Sequence, residues 1–357
     1  MNNLKVVSLS YLCGNLYREL FINHLNSRGV QIADYLPTLL FLPKVIKDGN
    51  INILHLHTLH YFFPAGRYQI VRLIKFFIFI IQIILLRLMG VKIVWTVHEW
   101  ADRWGNGKNV IPPSWAAIIG RLFHAAIAHS DTTKDEIVKA FRLENQDKVF
   151  VVLHGNYIGS YENTISQIEA RKALGIPTDN LVFLLFGHIH RTKGFLEAID
   201  AFKQLQENQI SLLIAGYPAE EQIEELIRDK VEDNKDILFV PRKVPDEEIQ
   251  IYMNACDCVL VPYKVFTTSG VTILSMSFGR ACIAPRIGFF KDVLDDSGSF
   301  LYDSTHKDSL LQAMSCVIKK RESILDMGKH NLQLAEQWSW DYVAEETIKI
   351  YKRCLGY

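Results

Sequence analysis

Short apolar runs alternate with helix-length segments along the chain. In the first half the strand candidates are "LKVVSLSYL", "INILHLH", "VKIVWTVH", "AAIAHS" and "KVFVVLH". Between them lie "YRELFINHLNSRG", a long apolar segment over Val71–Met89, and "KDEIVKAFRL". The second half repeats the alternation, with strands "LVFLLFG", "ISLLIAG", "DILFVP", "DCVLVPY" and "ACIAP". Its helical runs are "FLEAIDAFKQL", "AEEQIEELIRDKV", "PDEEIQIYMNA" and "TILSMSF". Strands that are apolar throughout belong in parallel sheets covered on both faces. Two such sets predict an α/β protein with two doubly wound, Rossmann-like domains, and 357 residues suit two cores. The join is expected near "HGNYIGSYENT", which lacks helical periodicity, so that the domains cover residues 1–160 and 161–337.

The segment "VRLIKFFIFIIQIILLRLMG" modifies this picture. As a helix it is about 28 Å long, close to the thickness of a bilayer core. Its polar members Arg72, Lys75, Gln82 and Arg87 fall within an arc of roughly 140° at about 100° per residue. A core strand follows at once, which argues against spanning. The expectation is either a buried helix or one lying on a membrane face over Val71–Met89.

Composition adds exclusions. Lys plus Arg equals Asp plus Glu at 39 each, so no global field draws nucleic acid. The six cysteines form no C-x-x-C pair and sit mostly in apolar runs, as expected of buried thiols in a reducing compartment. The start "MNNLKVVSLSYL" lacks the features of a secretory signal, so a cytoplasmic protein is expected, with peripheral contact at the inner face of a membrane left open.

In open parallel sheets, ligands sit beyond the carboxyl ends of the strands. Polar residues at those ends include Asn15, His57, His98, Glu99, His154 and Asn156 in the first half. In the second half they are Gly187, His188, Arg191, Lys193, Tyr263, Thr267, Thr268, Ser269 and Gly270. "FTTSGVTILSMSF" puts three hydroxyls and a glycine where a helix begins, a natural anion site; taken alone, helix capping also accounts for them. "FGHIHRTKGFLEAIDAF" adds Arg191 and Lys193 at the first strand–helix junction of the same domain. Two anion-suited junctions in one sheet point to a diphosphate. The "HLHTLH" cluster has no cysteine or carboxylate nearby to complete a zinc site, so no metal is expected there.

The stretches "FGHIHRTKGFLEAIDAF", "LLIAGYP", "PDEEIQIYMNACDCVLVPY" and "TTSGVTILSMSFGRACIAPRIG" resemble the nucleotide-sugar domain of GT-B glycosyltransferases of the family 4 (group 1) type. "ILHLHTLH", "VWTVHEW" and "LHGNYIGSY" match more loosely, and the "TSG" variant resembles a β-mannosyltransferase-like subgroup. The resemblance implies sugar transfer from a nucleoside diphosphate sugar to a saccharide or lipid-linked acceptor on the first domain, in surface polysaccharide synthesis. The closing "WSWDYVAEETIKIYKRCL", residues 338–357, resembles the terminal helix that crosses back to the first domain. By the same resemblance Lys193 is the phosphate-binding lysine, Gly187 and Gly194 are family glycines, and His98 reaches the donor sugar. Two departures stand out. His188 occupies a position where many members carry arginine, and Phe266 and Leu274 stand where many retaining members carry a glutamate pair. No D-x-D motif is present, so metal-independent transfer without a cofactor is expected, its stereochemistry open; an inverting reaction needs a base, for which Glu99 or Asp102, near the first-domain strand end, can serve. Two further readings remain open: a nucleotide-sugar epimerase, which needs no acceptor, and a catalytically silent binding subunit. A dinucleotide enzyme is disfavoured because no G-x-G-x-x-G follows the first strand.

Overall fold

The computed structural model describes residues 4–11, 15–59, 62, 69–98 and 111–357. The chain divides into two compact units, Met1–Gly155 with Trp338–Tyr357, and Asn156–Gln337. The first carries strands β1 (Leu4–Leu9), β2 (Val30–Tyr35), β3 (Ile53–Leu56), β4 (Lys92–Thr96), β5 (Ala125–Ala128) and β6 (Val149–Val151). They pair in parallel in the order β2-β1-β3-β4-β5-β6. Successive side chains of a strand point to opposite faces, and here both faces are dry. Val7, Leu54, Ile93 and Trp95 enter one core, while Val6, Ile53, Val94 and Ile127 enter the other. The helices Leu16–Ser27 and Trp340–Leu355 close the second core.

The long apolar segment forms the helix Gln69–Leu88, which covers the first core. Phe76, Phe79, Ile83 and Leu86 are buried in it. The Gln82 amide, expected among the polar members, also points inward. Its Oε1 accepts from the backbone N–H of Phe41 and Leu42, both at 2.9 Å, and its Nε2 donates to the Leu39 carbonyl at 2.8 Å.

The second unit carries β7 (Leu181–Phe186), β8 (Ile210–Ala215), β9 (Ile237–Val240), β10 (Cys258–Leu260), β11 (Ala281–Pro285) and β12 (Ser299–Tyr302). All six run parallel in the order β12-β11-β10-β7-β8-β9. Every residue of β7 is buried, as its unbroken apolar sequence requires of a central strand. From β7 the chain winds outward through β8 and β9, then returns to β10 on the opposite side of β7 and winds the other way. The carboxyl ends of β7 and β10 therefore flank the topological switch point, where ligands enter such sheets. The edge strands β2 and β12 are additions to the sequence expectation.

Candidate functional site

The β7 and β10 exits are built against each other. Gly187 ends β7 with φ +98°, a left-handed conformation that suits glycine. Across the neighbouring exit, a Cβ on Gly216 would lie 1.7 Å from the Gly187 carbonyl oxygen, so the two backbones touch directly. Gly194, at φ +71°, packs its α-carbon against the Pro262 carbonyl, where a Cβ would come within 2.2 Å. The Lys264 N–H donates to the Thr192 carbonyl at 2.8 Å. These contacts fasten the loop after β7 to the loop after β10, and the two expected anion corners form one continuous rim.

At that rim the Lys193 ammonium lies 3.6 Å from the centroid of the Tyr263 ring, a cation–π contact that holds the charge at the strand ends. The helix Gly270–Ser277 follows in the same loop after β10, with Val271 against Gly187. Ser269 is its N-cap, its hydroxyl accepting from the Thr272 N–H at 3.3 Å, so one hydroxyl of the "TTSG" run does serve as a cap. Helical geometry leaves other first-turn N–H groups without intrahelical acceptors. Thr268 is different: its hydroxyl is buried and has no hydrogen-bond partner among the described residues. A buried hydroxyl in that state costs about 1–3 kcal/mol. Thr267 is equally buried, while Gly270 is exposed at the helix start. The ring of Phe266 lies over Gly288 and packs against Phe290 at 4.4 Å, which makes an aromatic wall where a glutamate is expected in many relatives of retaining type.

Arg191 is placed at the same rim with a partner. Its Nε forms an ion pair with Glu220 Oε1, and its N–H donates to Glu220 Oε2 at 3.1 Å. An anion there meets a balanced pair. His188 is exposed, its ring 6.3 Å from that of Tyr217. A groove of about 530 Å³ adjoins Tyr263 and Lys264, but Glu197, Asp200 and Asp308 line it, the wrong sign for a pyrophosphate. One residue escaped the sequence reading: Tyr157, buried, with its hydroxyl 3.7 Å from where a Cβ on Gly270 would sit. Burial, with Tyr161 nearby, raises its pKa, so it stays a protonated donor. Its place in an irregular stretch gave no signal.

In the first unit the strand-end histidines form a row that follows the sheet order. His55 and His57 stack at 4.3 Å, His57 and His98 at 5.5 Å, and His129 lies 5.2 Å from His98 and 5.6 Å from His154. Tyr17 packs on the row, edge-on to His98 at 4.6 Å and tilted against His154 at 4.8 Å. His57 Nδ1 and His98 Nε2 share a hydrogen bond of 3.3 Å. His55 is held by the Tyr351 hydroxyl at 2.5 Å and Thr96 at 2.7 Å. Burial lowers the pKa of His57 to about 3, of His129 to about 4 and of His154 to about 3, so these three rings are neutral. Among the described residues no three His, Cys, Asp or Glu side chains are grouped to hold a metal.

The other first-half candidates separate. Asn15 caps the Leu16–Ser27 helix by accepting from the Tyr17 N–H at 2.9 Å. His154 Nδ1 donates to the Gly155 carbonyl at 2.7 Å. Asn156, expected on the acceptor side, belongs to the second unit; its amide donates to the Ala335 carbonyl at 2.7 Å and accepts from the Ile158 N–H. Glu99 and Asp102 lie outside the described residues.

Residues 166–333 match the family model described as glycosyl transferases group 1. The chain is 27% identical over 243 residues, 63% of its length, to an uncharacterized glycosyltransferase of Methanocaldococcus jannaschii, covering 59% of that protein. It is 28% identical over 134 residues, 37% of its length, to a GDP-mannose:glycolipid 4-beta-D-mannosyltransferase of Xanthomonas campestris, covering 38% of that protein. The chain thus spans about half the length of the curated relatives it matches. In architecture it is similar to Anabaena HepE solved in complex with UDP, with a TM-score of 0.73 over 98% of this chain and all of that one, at 14% identity. Two parallel six-stranded sheets flanked by helices are the GT-B fold.

Proposed function

With residues 166–333 belonging to the glycosyl transferases group 1 family, we propose that the chain moves a sugar from a nucleoside diphosphate sugar to a saccharide or lipid-linked acceptor during surface polysaccharide synthesis. The donor pyrophosphate occupies the rim between β7 and β10. The observation that carries this reading is Thr268, a buried hydroxyl at a helix N-terminus with no hydrogen-bond partner among the described residues, five residues after the Tyr263 ring on which the Lys193 ammonium rests. A phosphate oxygen accepts from that hydroxyl and from first-turn N–H groups while the lysine balances its charge. As the bond from sugar to pyrophosphate breaks, charge accumulates on the leaving oxygen, and the same groups stabilise it without reorganising.

The first unit holds the acceptor at the carboxyl edge of its sheet, where the histidine row ends. His98 contacts the transferred sugar, a role that rests on the sequence resemblance; in an inverting transfer Glu99 or Asp102, which follow the same strand in sequence, takes the proton of the acceptor hydroxyl. A glycolipid-acting relative and a UDP-bound structural neighbour support the acceptor and donor classes.

The test is turnover. The purified chain is incubated with labelled UDP-, GDP-, ADP- and CDP-sugars and a bacterial lipid extract, and label entering the extract is measured with the nucleoside diphosphate released. Transfer with one donor is expected, reduced on the order of a hundredfold by Lys193→Ala with an unchanged circular dichroism spectrum. No transfer or donor cleavage with any donor contradicts the proposal, and an epimer formed from donor alone replaces it with isomerisation.

A further inference from the structure

We propose that the first unit docks on an anionic lipid surface through the outward apolar face of the helix Gln69–Leu88, which lies along the bilayer instead of crossing it. The helix has a mean hydropathy of 2.2 and the length to span a membrane. Its packing forbids that. Phe76, Phe79, Ile83 and Leu86 belong to the core of the unit, and Gln82 is bonded to the backbone of residues 39–42.

What sets this helix apart is that it is inside out. At about 100° per residue, Arg72, Lys75, Gln82 and Arg87 fall on the side of the buried stripe. Arg72 lies over the Trp115 ring at 5.3 Å, and Arg87 donates to the Leu122 carbonyl. The opposite side has no polar residue. Ile70, Ile74, Phe77, Ile81, Ile84 and Leu88 run along it in an arc of roughly 100°, each between 41% and 79% exposed. A surface helix in water has the reverse arrangement. Leu36, Leu40 and Ile46, near the residues 39–42 that Gln82 holds, are exposed as well. An apolar stripe of this length on a surface helix marks an interaction face.

Charge selects the occupant. Between residues 35 and 98 the chain has seven Lys and Arg and one carboxylate, Asp48, which accepts from the Tyr35 hydroxyl at 2.9 Å. Lys47 is exposed beside Ile46, and Lys44 and Lys75 are partly exposed. An acyl boundary fringed by anionic headgroups meets both the apolar face and the basic surroundings. A second copy of this face would bring the same excess of cations against itself. The proposal does not depend on sugar transfer.

The experiment is flotation of the full chain with vesicles of phosphatidylcholine alone or mixed with phosphatidylglycerol. Binding to the mixed vesicles is expected, weaker by on the order of tenfold on phosphatidylcholine alone or at raised salt. The triple variant Ile74→Gln, Phe77→Gln, Ile81→Gln alters only exposed side chains. It should keep the wild-type unfolding curve and lose vesicle binding by on the order of tenfold or more. A wild type that floats with neither vesicle, or a triple variant that floats as well as wild type, overturns the proposal. Equal binding to both vesicles overturns the role given to anionic headgroups. A wild-type dimer that the triple variant converts to a monomer, without vesicle binding, assigns the face to a second copy and overturns it too.

Discussion

Acidification should unfold the first unit selectively, through its row of buried histidines. His57, His129 and His154 carry folded pKa values of about 3, 4 and 3 against an ordinary 6.5. Burial is the leading cause for each; repulsion from His129 adds to the shifts of His57 and His154, and Arg18 adds to that of His57. Above pH 6.5 the rings are neutral whether the unit is folded or not, and they contribute nothing to pH dependence. Below it the unfolded chain binds protons that the folded unit refuses, so stability falls with pH until the folded values near 3–4 are reached. Going from about pH 7.5 to about pH 5.5, each of the three costs about 1.4 kcal/mol, about 4 kcal/mol together, against a typical total of about 5–15. His55 and His124 shift in the same direction and add to the loss. The sequence supplies a reporter, since the described tryptophans (Trp95, Trp115, Trp338 and Trp340) all lie in the first unit. Urea unfolding followed by tryptophan fluorescence should lose that stability at the lower pH, with roughly three protons taken up per unfolding event by these three histidines and more where His55 and His124 contribute. Equal unfolding free energies at the two pH values would refute the argument.

Thr268→Val should leave the unliganded second unit as stable as wild type or slightly more so, because an unpartnered buried hydroxyl is removed, while donor affinity falls on the order of tenfold; calorimetry and thermal melts measure the two separately. Gly194→Ala should destabilise the second unit by about 1–3 kcal/mol or more, since φ is +71° and the new Cβ meets the Pro262 carbonyl, with the loss seen by circular dichroism in urea. Arg171→Ala strands Asp257, which also accepts from the Val182 N–H at 2.7 Å. Breaking that pair should cost about 3–5 kcal/mol of second-unit stability and leave the tryptophan-reported transition in place.

The central strands were legible because nothing but burial explains "LVFLLF" or "KIVWT". The edge strand Val30–Tyr35 was not, since one face is partly exposed and Gln31 and Asp34 break the apolar run. Ser299–Tyr302 was too short to stand out. Ser269 as a cap followed from a hydroxyl before a helical run. That Thr268 lacks a partner did not, because hydrogen-bond satisfaction depends on residues far away in sequence. The histidines were individually visible at strand ends, but their single row depends on the order β3-β4-β5-β6, which tertiary pairing sets. Arg191 illustrates the same limit, as its partner Glu220 lies on the next crossover. Periodicity placed the four polar residues of the long helix on one arc but could not say that this arc would face the core.

The central claim is that a nucleoside diphosphate sugar binds the rim between β7 and β10. Titration calorimetry of the wild type and of Lys193→Ala with UDP-, GDP-, ADP- and CDP-sugars tests it most directly. The account predicts that one donor binds the wild type and that the lysine substitution weakens it by on the order of tenfold or more. A donor bound equally well by both proteins, or no donor bound by the wild type, would contradict it.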